Sequence, residues 1–264
     1  MELFQRKSVW EQEWESLLRK EKRFLKKYRE KRENMLNKKL EQMVPQKLQV
    51  TLDSAFYKAF QLVFEKGTDI IEKTYQGDKQ RNQYKINEYT AQVKKDKKSW
   101  KAFDGKAQGT RVKNLLITGA EGVGLGVLGI GIPDIPLFTA VILKSIYEIA
   151  ISYGSDYRSE EEELFILKII ENAMESGDTL QEQNALLNQN IYKKKMYEAD
   201  KETQIKRTAS VLSREMLYMK FLQGIPVAGV VGGLYDSVYL GRITEYAELK
   251  YKRKFLGDYQ QKEI

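Results

Sequence analysis

The chain alternates long charged segments, in which apolar residues recur at regular spacing, with two segments that are almost wholly apolar. Across residues 10–42 this spacing is close to the helical repeat, and neither Gly nor Pro occurs. The pattern predicts one long helix, Trp10–Gln42, that ends before Pro45. A second predicted helix covers Leu48–Tyr75, with Gly67 as a candidate interruption. Lys79–Lys101 predicts a third, largely polar helix.

The first apolar segment, Leu115–Leu143, is rich in glycine and contains only two charged residues. Pro133 and Pro136 interrupt it, because a proline inside a helix removes a hydrogen bond and clashes with the preceding turn. The prediction is therefore two short helices, Lys113–Gly131 and Pro136–Tyr153, that meet in a broken hairpin.

The C-terminal half contains a weaker copy of this pattern. Ser159 and Glu162 have the spacing of a capping box, which predicts a helix that starts there and ends near Gly177. The second apolar segment, Phe221–Gly241, is again glycine-rich, and a closing helix is predicted over Ile243–Leu256. No segment shows the alternation typical of a series of β-strands.

The predicted fold class is all-α: a single helical domain with two Gly-rich broken helical hairpins and a long basic N-terminal helix. Residues 1–44 are interpreted as a basic amphipathic helical arm and residues 45–264 as the helical domain. Superimposing the two apolar segments pairs Gly131 with Gly233 and Asp134 with Asp236. Either a diverged duplication or convergence on the same packing accounts for this match.

Composition excludes several kinds of catalytic and metal-binding site. Its 264 residues include no Cys and no His. Disulfides, thiolate metal sites and Ser-His triads are therefore excluded, and the commonest general base is absent. The N-terminal residues lack the apolar stretch of a secretory signal peptide. We therefore expect a protein of the cytosol or of the cytosolic face of a membrane.

Positive charge is concentrated in the N-terminal part. The net charge is +8 overall, but residues 1–100 contain 24 Lys and Arg against 15 Asp and Glu, a net charge of +9. The remaining residues are close to neutral. Such asymmetry indicates attraction to anionic lipid or nucleic acid.

The glycines of the first apolar segment fit close helix packing better than phosphate binding. Gly124 to Gly129 form a literal GxGxxG, but no βαβ unit surrounds them, and no Gly-Lys-Ser/Thr follows as in a P-loop. Neither half of the segment reaches the roughly 20 apolar residues of a membrane span. Two interpretations stay open: a hairpin buried in a soluble core, or a re-entrant or interfacial insertion.

Ten residues of the hairpins are candidate functional or structural positions. Asp134 fits an N-cap for the helix that begins at Pro136. Asp236 fits a buried acid that is bonded to backbone or paired with a cation. Alternatively, the two acids line one functional pocket. No catalytic residue, cofactor site or metal site is predicted. The ten positions are Gly126, Gly129, Gly131, Pro133, Asp134, Pro136, Pro226, Gly232, Gly233 and Asp236.

Several sequence features together resemble the EcsC family of bacterial proteins, across residues 10–256. Val44-Pro45 precedes a helix with Phe56 and Phe60, and a glycine-rich stretch ends in Ile-Pro-Asp-Ile-Pro-Leu. Tyr153-Gly154, the stretch that begins at Ile225-Pro226 and the ending Arg253-Lys-Phe-Leu complete the pattern. The resemblance implies a mostly helical bacterial protein from a family named for an ABC transporter operon linked to secretion and membrane-protein processing. It implies no established activity.

The resemblance and the charge distribution favour a non-enzymatic, membrane-associated accessory protein at the inner face of the cell membrane. Its basic N-terminal region would face anionic headgroups, and its hairpins would insert into lipid or dock against a membrane protein. No nucleic acid, metal or cofactor is expected. One alternative is a soluble protein that binds a lipid or other apolar ligand between the hairpins. The other is a hydrolase that uses Asp134 and Asp236 as paired carboxylates.

Overall fold

Helices make up all the regular secondary structure in the part of the chain that the computed structural model describes: residues 7–29, 46–67, 71, 77–104, 134–194, 200–222 and 233–263. The all-α prediction is confirmed. The helices are α1 (Val9–Lys27), α2 (Gln46–Leu62, continued by the π-helical turn Val63–Gly67), α3 (Gly77–Lys94), α4 (Asp134–Ser152), α5 (Glu160–Met174), α6 (Gly177–Lys193), α7 (Lys201–Leu222) and α8 (Gly233–Glu263), with a further helical segment at 97–104.

The longest of these helices, α8, lies at the centre of the fold and extends beyond the predicted closing helix Ile243–Leu256 at both ends. It packs against α1, α4, α5 and α6, while α7 packs against α2 and α5. Apolar side chains between the helices form one continuous core, which includes Phe56, Tyr246 and Tyr251 without any exposure to solvent. Burying each such large side chain stabilises the fold by about 1.5–3 kcal/mol relative to leaving it exposed.

The most apolar helix, α4, is a core helix of this fold. Its stretch Ile135–Ser152 is long and apolar enough to cross a membrane, the one such stretch in the described part of the chain, but 72% of it is buried within the protein. Helices α2, α3 and α8 cover it. Helix α4 begins at Asp134, two residues before the predicted start. Pro136 lies in its first turn, where a missing N–H has no helical partner to lose.

The N-terminal helix is shorter than predicted. It begins with a complete capping box between Ser8 and Glu11, but it ends at Lys27 and does not continue as one helix to Gln42. The backbone carbonyl of Tyr28 accepts a hydrogen bond from the amide of Gly177 at 3.1 Å. The junction between α5 and α6 therefore satisfies a terminal group of α1, where the chain leaves the helix. Residues 30–45 lie outside the described part.

The predicted helix Lys79–Lys101 is two helices in the structure. Helix α3 ends at Lys94, and Lys95 adopts a left-handed backbone with φ of 48°. Asp96 then caps the segment 97–104, since its carboxylate accepts hydrogen bonds from the backbone N–H and the hydroxyl of Ser99, both at 2.7 Å. The prediction was wrong here because no Gly or Pro marks the break.

The predicted capping box of α5 forms only in part. The hydroxyl of Ser159 accepts a hydrogen bond from the amide of Glu162 at 3.2 Å. The carboxylate of Glu162 pairs instead with Lys254 of α8, at 2.5 Å. Helix α5 ends at Met174, and Gly177 begins α6 with a positive φ of 62°. The side chain expected to cap α5 therefore ties it to the central helix.

Candidate functional site

Most of the predicted hairpin positions lie outside the described residues: Gly126, Gly129, Gly131, Pro133, Pro226 and Gly232. Of the others, Asp134 and Pro136 lie in the first turn of α4, and Gly233 and Asp236 lie in the first turn of α8. The last part of the second apolar segment is thus helical and continuous with the closing helix. A shared pocket of the two acids and an insertion of the hairpins stay predictions.

Buried ion pairs fasten α1 to the central helix. The ammonium group of Lys250 on α8 has no exposure to solvent and pairs with the carboxylate of Glu21 on α1. It also donates hydrogen bonds to the amide oxygens of Asn184 and Asn188 on α6, the latter at 2.7 Å. Arg253, one turn further along α8, pairs with the same Glu21 carboxylate. Two cations therefore share one buried acid.

Burial and charge act in opposite directions on this group of residues. Burial lowers the pKa of Lys250 to about 8, against the raising effect of the Glu21 carboxylate. At Glu21, burial alone would raise the pKa, but attraction to Lys250 and Arg253 outweighs it, so the pKa lies below its ordinary value. At pH 7 the acid and both cations are charged. Removing one member would leave a buried charge without its partner.

A second buried contact lies further along the same two helices. Lys252 of α8 pairs with Glu13 of α1 at 2.7 Å and with the carboxylate of Asp104 at 2.7 Å. The phenol of Tyr153 donates a hydrogen bond to Asp104 at 3.0 Å. Burial, followed by the nearby Asp104 charge, raises the pKa of this phenol, which stays protonated. The indole of Trp10 adds a hydrogen bond to the backbone of α8 at the carbonyl of Leu256, at 3.0 Å.

The ion pairs of this network tie α1 to α8. Its cations are at most 5% exposed, and each contacts an acid. The described part of α1 therefore belongs to the same core as the other helices. Nowhere among the described residues do three potential metal ligands come together.

A cavity of about 370 Å³ lies between α3, the turn after α4 and the C-terminal part of α8. Charges of both signs line it: Lys194 pairs with Asp258 at 3.2 Å, and Glu88 is also among the lining residues. Burial and then the Glu88 carboxylate raise the pKa of Tyr84, so its phenol is neutral. Gly154, at φ of 78°, is required here because a Cβ atom would overlap the ring of Tyr84. Such walls suit a polar molecule better than an apolar ligand.

Exposed lysines cluster where α3 meets the segment 97–104. Between residues 94 and 101 the sequence has five lysines and one acid, a net charge of +4. The acid, Asp96, is engaged by Ser99, whose hydrogen bonds lower the pKa of the carboxylate. All five lysines are exposed. We call them the lysine junction: Lys94, Lys95, Lys97, Lys98 and Lys101.

Sequence reasoning assigned the excess positive charge to residues 1–100 as a whole and did not single out this junction. The run KKDKKSWK was the available signal. This run did not predict a cluster, because one continuous helix was expected there. Such a helix would distribute the lysines around its circumference.

Comparison with known proteins identifies the family. The sequence pattern of the EcsC protein family matches residues 11–256. The chain belongs to the EcsC family. Protein EcsC of Bacillus subtilis (strain 168) is 26% identical to it over 156 residues, which are 58% of this chain and 63% of that protein. The uncharacterized protein YdbA of the same organism is 29% identical over 132 residues, 46% of this chain and 45% of that protein.

The EcsC family match covers nearly the whole structure described above. It extends from the first turn of α1 to Leu256 in α8 and so contains the buried ion pairs, the lysine junction and most of the residues that line the cavity. The resemblance that the sequence features predicted is therefore confirmed. The chain spans less than two thirds of the length of each of the two Bacillus subtilis relatives. No solved structure matches it.

Proposed function

We propose that this EcsC-family chain is a non-enzymatic accessory protein that binds the anionic inner face of the cell membrane. The observation that supports the proposal is the lysine junction, whose five exposed lysines give residues 94–101 a net charge of +4. An anionic membrane attracts each lysine near its surface by about 1 kcal/mol. Four net charges therefore supply on the order of 4 kcal/mol, close to a thousandfold gain in partitioning at low salt.

The junction is well placed for such a contact. Its lysines lie at and beyond the end of α3, which packs against the buried helix α4. The core therefore holds the backbone of this region in place. Attraction of this kind falls off within a Debye length, about 8 Å at physiological salt. Binding by the junction should therefore weaken strongly as salt is added.

Flotation of the full chain with lipid vesicles tests the proposal. We expect binding to vesicles of phosphatidylcholine and phosphatidylglycerol at low salt, and none to vesicles of phosphatidylcholine alone. The variant Lys94→Gln/Lys97→Gln/Lys98→Gln removes three junction charges and should weaken binding roughly a hundredfold. Failure of the wild-type chain to float with the anionic vesicles would overturn the proposal.

A matched variant separates the junction from general positive charge. Lys22→Gln/Arg23→Gln/Lys26→Gln removes the same charge from exposed positions of α1. We expect this variant to bind nearly as the wild type does. Equal losses in the two variants would show that the junction has no special role. Tighter binding to a short RNA duplex than to the vesicles would favour nucleic acid as the partner instead.

A further inference from the structure

One face of α3 exposes three large apolar side chains to solvent. Ile86 is 57% exposed, Tyr89 69% and Val93 63%. Their spacing of three and four residues places them on one side of the helix, in a stripe about 10 Å long. On the other side, Ala91 is buried and α3 packs against α4. The stripe, defined as these three residues, therefore faces away from the core.

An internally bonded hydroxyl and two exposed lysines lie near the stripe. The hydroxyl of Thr90 donates to the backbone carbonyl of Ile86 at 2.7 Å. Lys85 and Lys94 are exposed roughly a quarter turn to either side of the stripe. The lysine junction follows directly after Val93 in the chain. An apolar row flanked by lysines is the surface that a helix lying in a membrane interface presents.

We infer that α3 is an interfacial helix that lies in the plane of an anionic bilayer and inserts its apolar stripe into the headgroup–acyl boundary. The inference rests on the proposed function and adds the mode of binding: lysines contact headgroups, while Ile86, Tyr89 and Val93 enter the apolar boundary. Charge complementarity selects this occupant. Lysine is depleted in protein–protein interfaces, whereas a lysine-flanked row with a tyrosine is typical of the membrane interface.

Depth of insertion can be measured at single residues, because the chain contains no Cys. Val93→Cys, labelled with an environment-sensitive fluorophore, reports on the stripe in the full chain. Leu186→Cys on α6, at a position that is 52% exposed, serves as the control. On vesicles of phosphatidylcholine and phosphatidylglycerol, we expect the emission at residue 93 to shift to the blue and become quenchable by lipids brominated near the headgroup. The emission at residue 186 should not change.

Binding measurements give an independent test. Ile86→Gln/Val93→Gln should weaken binding to the same vesicles by about tenfold for each side chain removed. The slope of binding against salt should not change, because the lysines are intact. The matched control Val50→Gln/Leu186→Gln removes two apolar side chains that are 59% and 52% exposed and should bind like the wild type. All these substitutions are at exposed sites, and far-UV circular dichroism checks that each variant folds.

The outcomes separate this inference from the proposed function. If the wild-type chain does not bind anionic vesicles, the proposed function fails, and the inference fails with it. If the wild type binds and loses binding with the lysine substitutions, but the label at residue 93 stays in water and Ile86→Gln/Val93→Gln binds normally, only the interfacial helix is overturned. Weaker binding of the stripe variant together with a blue shift at residue 93 supports both.

Discussion

The pair of Glu21 and Lys250 gives a sharp prediction about stability. Lowering the pKa of Lys250 from 10.5 to about 8 means that burial of its ammonium already costs about 3 kcal/mol, after the attraction of Glu21 is counted. Glu21→Gln removes that attraction and keeps the shape of the side chain. We expect the free energy of unfolding at neutral pH to fall by about 3–5 kcal/mol, because a buried cation then lacks its partner.

The loss should depend on pH in a defined direction. Between its lowered pKa and the unfolded value of 10.5, Lys250 binds fewer protons in the folded protein than in the unfolded chain. Stability conferred at this group therefore rises with pH across that window. Glu21→Gln lowers the pKa of Lys250 further, so the lysine deprotonates earlier. The variant should consequently recover part of its deficit at about pH 9 compared with about pH 6. Arg253, which stays charged, sets the part that is not recovered.

Urea unfolding followed by far-UV circular dichroism measures these differences. The matched control is Glu15→Gln, also on α1, whose partner Lys7 is exposed and whose loss should barely change stability. Glu21→Gln/Lys250→Met removes the acid and one of its two cations, and we expect it to regain the part of the lost stability that is due to Lys250, while Arg253 retains a deficit. The reasoning is refuted if Glu21→Gln unfolds at the urea concentration of Glu15→Gln, or if its deficit is the same at both pH values.

Three further predictions concern other parts of the fold. Gly154→Ala should lower the free energy of unfolding by at least about 1–2 kcal/mol, because φ is positive there and the new methyl group displaces Tyr84; thermal unfolding equal to wild type would contradict this. Ser159→Ala should cost about 1 kcal/mol through loss of the cap of α5, whereas Ser159→Asp should retain wild-type stability in the same urea titration. The stability that the Glu21 carboxylate confers is complete above its ordinary pKa of 4.5 and is lost as the pH falls through its lowered pKa in the folded protein. Glu21→Gln should therefore show a shallower acid transition than wild type.

Apolar periodicity was sufficient to predict the helical fold but not its buried charges. Lys250, Lys252 and Arg253 belong to the run KYKRK, which any periodicity argument places in solvent. They are buried because Glu13 and Glu21, more than 220 residues earlier in the chain, lie against them. No local pattern contains a contact of that sequence separation.

Breaks within the helices were the second feature that could not be predicted from the sequence. Lys95 adopts a left-handed conformation that glycine or asparagine usually occupies, so its sequence gave no sign of a helix end. The cap at Asp96 and Ser99 was visible as an N-cap residue followed by a polar partner. It could be recognised only once the break itself was known. The lysine junction was not predicted for the same reason: the break in the helix was unknown, although the five lysines are adjacent or nearly adjacent in the sequence.

Two lysine-rich runs of similar composition therefore differ in burial: most cations of one lie in the core, and the lysines of the other are exposed. The position of the nearby acids accounts for the difference. Lys250, Lys252 and Arg253 of the KYKRK run pair with acids of α1 in the core, so their charge is neutralised there. In the run KKDKKSWK, the single acid is held by its own helix end, and the five lysines stay exposed. Because these lysines are exposed, their field extends into solvent, where it can act on an anionic surface. The junction, and not the more numerous cations of the whole chain, is thus where membrane attraction should be sought.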